Sequence, residues 1–436
     1  MTNRTMISEL KSHIGQRVSI AGWVRTIRNQ KRIKFLIIRD VSGEVQAIAP
    51  SNHASVPTIA ELTPETVVRI NGKLKSDPQA PSGIEVEIGE LEILSRSEPE
   101  LPIPIVTKKG EADQSKRLDW RWLDLRRPER QLIFRVWTEM ERAFRAYCVG
   151  VGYFDLHSPK LMSAPSESGA ELFEVRYFNR KAYLAQSPQF YKQMAMAAGF
   201  EKVFEVGPVF RADPSFTSRH TTEFTGYDIE ISFVESHFDV MAEQERIVVA
   251  MLKGIKSALQ EPISRTFGQE ITIPSVPFPK ITLREAKEIL KRLEIPSERE
   301  NDLAPEEERR LGEYAEEQYG HEFLFVTDYP VEARPFYHMR SETDQRLTKS
   351  FDLLFKGVEI TTGAQREHRF NVLVQQAQEK GLRLETIKFY LNFFKFGCPP
   401  HGGLGFGPSR FVMQLLGLPN IREATYLPRT VNRLDP

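Results

Sequence analysis

The chain has 436 residues, 40% of them hydrophobic and 27% charged, and its 59 basic side chains equal its 59 acidic ones. This length and composition are typical of a globular protein with two or three domains, and the neutral charge sum excludes a global basic field. Without a secretory signal, a membrane span or closely spaced cysteines (Cys148 and Cys398 stand far apart), we expect a soluble cytoplasmic protein with no membrane contact, disulfide framework or zinc site.

The N-terminal part, residues 1–100, is predicted to form a small closed barrel. Five strands in this length are typical of the oligonucleotide-binding (OB) fold, and a generic SH3-like barrel is the alternative. The alternating runs that define the strands are Val18–Val24, Lys34–Arg39, Val45–Ile48, Thr66–Ile70 and Ile84–Ile88.

A stiff linker is predicted after the barrel, because Glu98–Pro104 contains three prolines in seven residues. We therefore expect a barrel domain over 1–104, a hinge or linker over 105–130 and a larger domain over 131–436.

The larger domain is predicted to begin with a helix from Arg130 that ends near Gly150 and is followed by a strand at Tyr153–Ser158. Apolar residues recur there at three- and four-residue spacing, which gives the helix one apolar stripe. The stripe consists of Ile133, Val136, Trp137, Met140, Phe144 and Tyr147. Further along, a charge-rich segment over about 284–320 is predicted to be a helical, solvated insertion.

Two alternating runs, Phe204–Phe210 and Thr222–Ser232, are predicted to form a hairpin with a long polar loop. Arg211, Arg219 and His220 lie at the shoulders of that loop. Arginine binds phosphate oxygens through two parallel hydrogen bonds and stays charged at any relevant pH. The hairpin is therefore suited to binding a triphosphate.

Two more segments carry polar residues. Glu359 and Thr362 offer hard oxygen ligands of the kind that Mg²⁺ prefers, and Arg366 follows on the same segment. The pair Ser187-Pro188 predicts the start of a helix with Lys192 about one turn in, where a lysine is ordinarily exposed.

The run His401–Arg410 is dense in glycine and ends at the start of an apolar, predicted helical stretch. Glycine weakens a strand, so this density indicates close approach of a flat ligand. Arg410 would lie near the helix N-terminus, where backbone N–H groups favour an anion. A nucleotide suits both features, and a glycine-rich turn with a surface arginine is the alternative.

Taken in chain order, these segments resemble the signature motifs of class II aminoacyl-tRNA synthetases, subclass b. The helix from Arg130 is similar to motif 1, Phe210–Glu230 to motif 2 and His401–Arg410 to motif 3. The run Gln186–Gln193 is similar to the family's amino-acid pocket signature. The resemblance covers almost the whole chain and is strongest to aspartyl-tRNA synthetases of the archaeal and eukaryotic type.

This resemblance implies an α+β fold: an OB-fold barrel that reads the anticodon, then a catalytic domain with a six- to seven-stranded antiparallel sheet flanked by helices. It implies that L-aspartate is activated with ATP and Mg²⁺ to aspartyl-adenylate and transferred to the terminal adenosine of tRNA(Asp). A homodimer formed through motif 1 is also implied.

The resemblance also implies roles for residues in the ATP site. Arg211 and Arg410 are the catalytic residues, on the α- and γ-phosphates. Phe224 stacks on adenine, for which Gly403, Gly405 and Gly407 make room. Arg219 and His220 lie near the β- and γ-phosphates, Asp213 and Glu359 complete the ATP set, and Glu359 with Thr362 holds Mg²⁺.

For the amino acid, the resemblance implies that Glu167, Gln189 and Asp228 bind the α-ammonium group, that Lys192 and Arg366 bind the side-chain carboxylate, and that Thr362 also lines this pocket. Two cations in one small pocket suit an anionic side chain. The implied anticodon readers are Arg25, Phe35, Gln46 and Pro81, within a basic patch that includes Arg28, Lys31, Arg32 and Lys34.

Three positions depart from the family pattern. Asp213 replaces the usual glutamate, and Ala364 replaces a common glycine. Arg25 stands where strict aspartate enzymes often carry tryptophan, so we expect relaxed anticodon reading, with tRNA(Asn) as a second substrate. The alternatives for the whole chain are an asparaginyl-tRNA synthetase, a non-catalytic tRNA-binding paralogue and a freestanding amino-acid ligase.

Overall fold

A computed structural model of the chain describes residues 4–105, 111–166, 172–214 and 217–436. The chain divides into two compact units, Met1–Pro128 and Glu129–Pro436. None of the helices in the described ranges combines the length and the apolar run needed to cross a membrane.

The first unit contains the predicted five-stranded barrel. Its strands are β1 (Arg17–Asn29), β2 (Ile33–Asp40), β3 (Gly43–Pro50), β4 (Val67–Ser76) and β5 (Ile84–Ser95). They close in the order β1-β2-β3-β5-β4, antiparallel except for the parallel pair β3 and β5. Alternate residues such as Val18, Ile20, Leu36 and Ile38 fill the interior, which confirms the OB-fold prediction.

Short helices accompany the barrel: a 3₁₀ helix at Ile7–His13, α1 (Val56–Ala60), α2 (Gln114–Asp119) and α3 (Arg121–Asp124). The side chains of Arg121 and Asp124 are fully buried and form an ion pair at 2.9 Å. This part of the predicted linker is therefore folded.

The second unit contains two sheets. Their strands are β6 (Phe154–Asp155), β7 (Leu161–Met162), β8 (Glu174–Tyr177), β9 (Arg180–Leu184), β10 (Lys202–Phe210), β11 (Glu223–Ser232), β12 (Lys280–Thr282), β13 (Phe323–Thr327), β14 (Ser350–Phe355), β15 (Val358–Arg366) and β16 (His401–Phe406). The main sheet has eight strands in the order β12-β13-β14-β15-β16-β11-β10-β6. The fold class is as predicted: six central strands are antiparallel, and the pairs β10/β6 and β12/β13 add a parallel strand at each edge. A small sheet has the order β7-β9-β8.

Two long helices cover one face of this sheet. Ile133, Met140 and Phe144 of the predicted stripe are buried against it, whereas Trp137 and Tyr147 are half-buried. The α-helices are α4 (Pro128–Gly150), α5 (Gln189–Ala197), α6 (His237–Phe267), α7 (Leu283–Arg292), α8 (Pro305–Tyr319), α9 (Phe370–Glu379), α10 (Lys388–Leu391), α11 (Pro408–Leu415) and α12 (Ile421–Ala424); 3₁₀ turns lie at Val331–Ala333, Leu384–Ile387 and Asn392–Phe394.

The charged segment at 284–320 is helical, as predicted, but its expected solvation is wrong. Leu290 of α7 and Leu311 of α8 are buried in one cluster with Val326 and Leu354 of the sheet. Apart from Glu307 and Glu308, which are buried, the charged residues occupy the outer faces of two amphipathic helices, so charge density alone concealed the apolar stripe beneath.

Close packing of α8 on the turn between β14 and β15 yields a stability prediction. A Cβ atom at Gly312 would lie 2.3 Å from the backbone nitrogen of Gly357, whereas at Gly150, at the end of α4, it would meet nothing within 4 Å. We expect Gly312→Ala to lower the free energy of unfolding by about 1–3 kcal/mol. Gly150→Ala should leave it unchanged or raise it by less than about 1 kcal/mol. Urea denaturation would measure both, and equal stability of the two variants would contradict this packing.

Candidate active site

The polar floor of the site comes from strand alternation in β11 and β16. Tyr227 and Ile229 point into the core under α4 and α6, so Asp228 and Glu230 lie on the opposite face. The strand register pairs Asp228 with Gly405 and Glu230 with Gly403. Two carboxylates thus stand beside residues that have no side chain.

Gly403 has a different role from the predicted one. A Cβ atom there would lie 2.1 Å from Oε2 of Glu230 and 2.2 Å from the carbonyl oxygen of Ile229. Gly403 therefore makes room for the Glu230 carboxylate and not for adenine. Gly405 and Gly407 do line the pocket.

A β-bulge in β15 brings Glu359 and Thr362 to the same face. Thr361 pairs with Leu353 and Glu359 with Leu354, which leaves Ile360 without a partner in the register. In a regular strand, residues three apart face opposite sides of the sheet. The extra residue of the bulge reverses this alternation, so Glu359 and Thr362 face the same side. The hydroxyl of Thr362 donates to Glu359 Oε1 at 3.3 Å.

These elements enclose one open pocket between α5, the β10–β11 hairpin, β15, β16 and α11. Besides Gly405, it is lined by every other predicted ATP and aspartate residue that the described ranges contain, except Gly403. They are Gln189, Lys192, Arg211, Asp213, Arg219, His220, Phe224, Asp228, Glu359, Thr362, Arg366, Gly407 and Arg410. The predicted Glu167 lies outside the described residues.

Lys192 is buried, contrary to the ordinary expectation for a lysine in the first turns of a helix. Its side chain is 4% exposed, and Nζ lies 3.0 Å from Asp228 Oδ1 and 3.4 Å from Glu230 Oε2. Nζ also donates to the carbonyl oxygen of Leu404 at 3.0 Å. Four oxygens, including the carbonyl of Ile229 at 3.4 Å, replace the lost water.

Arg366 is held by Glu230 and His338, two residues to which the sequence interpretation assigned no role. Its Nε donates to Glu230 Oε1 at 3.0 Å, and its Nη1 donates to His338 Nε2 at 2.9 Å. Burial and the charge of Arg366 lower the pKa of His338 well below its ordinary value, so the imidazole is a neutral acceptor. Strand alternation could have identified Glu230 as a site residue, because it lies two residues after Asp228 and therefore on the same face. No sequence pattern marked His338 as a site residue.

The two carboxylates differ in electrostatics. Burial raises the pKa of Asp228, and Lys192 only partly opposes the shift. Burial also acts to raise the pKa of Glu230, but Arg366 and Lys192 outweigh it and hold the pKa below its ordinary value. Glu230 is therefore the firmly ionised counter-ion of both cations.

Three arginines line the other end of the pocket. The guanidinium carbon of Arg211 lies 5.6 Å from the centroid of the Phe224 ring, and its buried Nε has no hydrogen-bond partner among the described residues. Arg219 makes a bidentate ion pair with Glu308 at 2.6 and 3.1 Å. Nη1 of Arg410 donates to the backbone oxygen of Glu359 at 2.9 Å.

His220 and Glu359 lie among these arginines. Burial and the charges of Arg410 and Arg219 lower the pKa of His220 to about 4, so its ring is neutral at pH 7. Burial would raise the pKa of Glu359, but Arg410 and other arginines hold it below its ordinary value. This end of the pocket is an electropositive site suited to an anion.

Asp352 is a further carboxylate that the sequence interpretation missed. It lies opposite Thr362 in the register, and Oδ2 accepts from Nη2 of Arg334 at 2.5 Å. Its buried Oδ1 has no hydrogen-bond partner among the described residues. The sequence did mark Asp352 as a candidate site residue, because it is an aspartate inside the apolar run of β14, where a charged side chain is rare unless it is paired.

The predicted anticodon residues lie on the outer side of the barrel and in one of its turns. Phe35 on β2 and Gln46 on β3 alternate with buried residues and are half-buried. Arg25 lies at a bulge in β1 and forms an ion pair with Glu44. Pro81 is exposed in the turn between β4 and β5.

Two family models match the chain. The model for class II tRNA synthetases (D, K and N) matches residues 113–431, and the OB-fold nucleic acid binding domain model matches residues 18–94. The chain belongs to the class II tRNA synthetases. ATP is the substrate that this family implies for the pocket.

Individual relatives of this class II synthetase span nearly its full length. It is 43% identical to the aspartate–tRNA(Asp/Asn) ligase of Aeropyrum pernix, over 99% of this chain and 98% of the relative, and 41% identical to the aspartate–tRNA(Asp) ligase of Pyrococcus horikoshii, over 97% of each. Among solved structures, asparaginyl-tRNA synthetase from Pyrococcus horikoshii complexed with asparaginyl-adenylate matches with a TM-score of 0.93, 32% identity and full coverage of both chains.

A buried histidine supports the end of the pocket that contains Lys192. Gln189 Nε2 donates to Gln193 Oε1 at 2.8 Å, and Gln193 Nε2 lies 2.9 Å from Nε2 of His401. Nδ1 of His401 donates to the carbonyl oxygen of Pro399 at 2.8 Å, so its Nε2 accepts from Gln193. Burial lowers the pKa of His401 to about 4.

This arrangement predicts an acid sensitivity. The pKa of His401 in the folded state lies below its ordinary value of 6.5, so the folded state favours the neutral imidazole. The stability that the neutral His401 contributes to the fold is therefore fully present above pH 6.5 and is lost as the pH falls towards 4. Relative to His401→Asn, which cannot titrate, the wild type should lose about 2 kcal/mol of unfolding free energy between pH 7 and pH 4.5. Urea denaturation of both proteins at the two pH values measures this, and parallel losses would contradict the neutral assignment.

Proposed function

We propose that the chain is an aspartate–tRNA ligase. It activates L-aspartate with ATP, forms aspartyl-adenylate and pyrophosphate, and transfers the aspartyl group to the 3′-terminal adenosine of tRNA(Asp). The observation that carries this proposal is the pair of buried cations, Lys192 and Arg366, at one end of a pocket whose other end is lined by arginines. The 43% and 41% identical aspartate–tRNA ligases support the same choice of amino acid.

The charge balance favours a carboxylate over an amide. In the proposal, Asp228 and Gln189 bind the α-ammonium group, with Glu167 as a further predicted partner. In the structure Lys192 also pairs with Asp228, at 3.0 Å. Once the α-ammonium group takes Asp228 as its partner, Lys192 and Arg366 share Glu230 alone, and one of their two positive charges is left for the substrate. Asparagine would leave that buried charge uncompensated, at a cost of several kcal/mol.

At the ATP end the proposal relies on positioning and electrostatics. Arg211 contacts the α-phosphate, where charge develops, and Arg410 contacts the γ-phosphate. Arg219 and His220 serve the β- and γ-phosphates, with Asp213 at the rim, and the Phe224 ring stacks on adenine. The substrate carboxylate is already a nucleophile, so this chain needs no general acid or base for the first step.

The oxygen donors at this end fit Mg²⁺. Glu359 and Thr362 share a face and a hydrogen bond, and Asp352 adds a carboxylate oxygen whose lone pairs are unsatisfied among the described residues. No group of three or more His, Cys, Asp and Glu side chains is assembled for a metal in those residues, so the remaining ligands would be phosphate oxygens and water. A bound Mg²⁺ would supply charge neutralisation on the phosphates.

A homodimer forms part of the proposal. Around the end of α4 and edge strand β6, Val149, Phe154 and Phe200 are exposed, and the last two rings pack edge-to-face at 5.3 Å. An exposed apolar edge strand is a template for pairing with another chain. We infer that a second copy covers this edge; a monomer in sedimentation analysis would refute it.

The nearest rival is an asparaginyl-tRNA synthetase, which the structural match to the Pyrococcus horikoshii enzyme brings forward. The two activities share an architecture, so the side-chain end of the pocket decides between them. A non-catalytic tRNA-binding paralogue is disfavoured because Arg211, Arg219 and Arg410 all line the pocket.

An ATP–pyrophosphate exchange assay separates these functions. We expect exchange with aspartate to exceed exchange with asparagine at least about a hundredfold, because the amide cannot compensate the buried charge. Lys192→Met should lower kcat/KM for aspartate by about a hundredfold or more. The control, Lys388→Met, alters an exposed lysine on α10 and should have no effect. Preferential exchange with asparagine would establish the rival, and no exchange with either would favour the paralogue.

Relaxed tRNA specificity is the second part of the proposal. The Aeropyrum pernix relative is an aspartate–tRNA(Asp/Asn) ligase, and in this chain the bulge in β1 and the ion pair with Glu44 position Arg25 on the outer face of the barrel. An arginine can bind bases by hydrogen bonding where a tryptophan ring would stack on one base.

Charging assays on tRNA(Asp) and tRNA(Asn) transcripts test this. We expect both to be aspartylated, and Arg25→Trp should lower kcat/KM for tRNA(Asn) more than for tRNA(Asp). A parallel change at a neighbouring cation of the basic patch, Arg28→Trp, should reduce both alike. Charging of tRNA(Asn) below about a thousandth of that of tRNA(Asp), equivalent to roughly 4 kcal/mol, would refute relaxed reading.

A further inference from the structure

One carboxylate that contacts two residues of the pocket lining comes from outside the motifs that the sequence identified. Glu308 lies in the first turn of α8, and its side chain is 6% exposed. It accepts from Nη1 and Nη2 of Arg219 at 2.6 and 3.1 Å, and Oε2 also accepts from the backbone nitrogen of Glu359 at 2.9 Å. Glu308 thus joins the motif 2 loop to the strand that carries the predicted metal ligand.

The helix that carries Glu308 is firmly fixed. Leu311 is fully buried, and Gly312 approaches the Gly357 backbone too closely to admit a Cβ atom. Glu307, the preceding residue, accepts from Nζ of Lys287 on α7 at 2.6 Å. A carboxylate on such a support has a fixed position, so it sets the position of the Arg219 guanidinium that pairs with it.

Arg219 keeps binding capacity while it is held. A guanidinium has five N–H donors, and the bidentate pair uses two of them. The remaining donors can serve phosphate oxygens without breaking the pair. A free arginine would have to lose most of its rotamer freedom when the nucleotide binds, and a held arginine has already lost it.

We propose that Glu308 is a positioning residue for ATP, which holds the guanidinium of Arg219 at the phosphate end of the pocket before the nucleotide arrives. This inference rests on the proposed function, because it takes the anion at this end to be a triphosphate. The opposite relation would be a latch, in which Glu308 competes with phosphate for Arg219. The two relations predict effects of opposite sign on the KM for ATP.

Aspartate-dependent ATP–pyrophosphate exchange of the full-length protein distinguishes them. For Glu308→Ala we expect the KM for ATP to rise about tenfold while the KM for aspartate stays within about twofold. Glu308→Gln, which keeps the shape and one acceptor oxygen, should show a smaller rise. Glu306→Ala is the matched control, because Glu306 is exposed on the same helical turn and pairs with Arg309.

A double variant tests whether Glu308 acts through Arg219. If it does, adding Glu308→Ala to Arg219→Ala should cause no further rise in the KM for ATP. Additive effects, an unchanged KM in both Glu308 variants, or a fall in KM would each overturn the inference. Thermal unfolding shows whether the variants are folded, and Glu308→Gln carries the test if Glu308→Ala is not.

Failure of the inference is distinguishable from failure of the proposed function. If the wild type shows no exchange with any amino acid, the proposed function fails and the inference falls with it. If the wild type exchanges with aspartate and the Glu308 variants match it, the inference alone fails.

Discussion

The buried carboxylate of Glu230 is shared between Lys192 and Arg366, and the arrangement of the catalytic unit depends on it. Neither cation could be buried in the pocket without an ionised counter-ion, because an unpaired buried charge costs several kcal/mol. The carboxylate is itself kept ionised by the two cations. It occupies the space that a side chain at position 403 would fill, so Gly403 follows from the same constraint. Three strands and a helix thus meet around one charge.

A second constraint lies in the phase of β15. The bulge at Ile360 turns Glu359 onto the face that Thr362 already occupies, and without it the carboxylate would point into the apolar core. The same strand end receives Glu308 from α8 and Arg410 from α11. A single extra residue in one strand therefore assembles the phosphate end of the pocket from elements that are distant in sequence.

Much of the fold could be predicted from local patterns. Alternation located all five barrel strands and both strands of the hairpin at Phe204–Phe210 and Thr222–Ser232, because each has one apolar face. The segment at 284–320 shows the limit of that approach. The charges of this segment were visible in the sequence. Its apolar residues, however, pack against strands such as Phe323–Thr327, and no sequence pattern indicated that the segment and these strands are in contact.

The OB-fold barrel, the class II synthetase family and the predicted ATP and aspartate residues of the pocket could be recognised from the amino-acid sequence, because strand periodicity and contiguous motifs record local chemistry. The roles of those residues stay predictions. Three features became visible in the folded chain alone: Lys192 is buried, Gly403 accommodates a carboxylate, and Glu308 reaches Arg219. Each of these depends on which side chains meet across strands and helices, and such contacts are fixed by packing between segments that carry no shared local pattern.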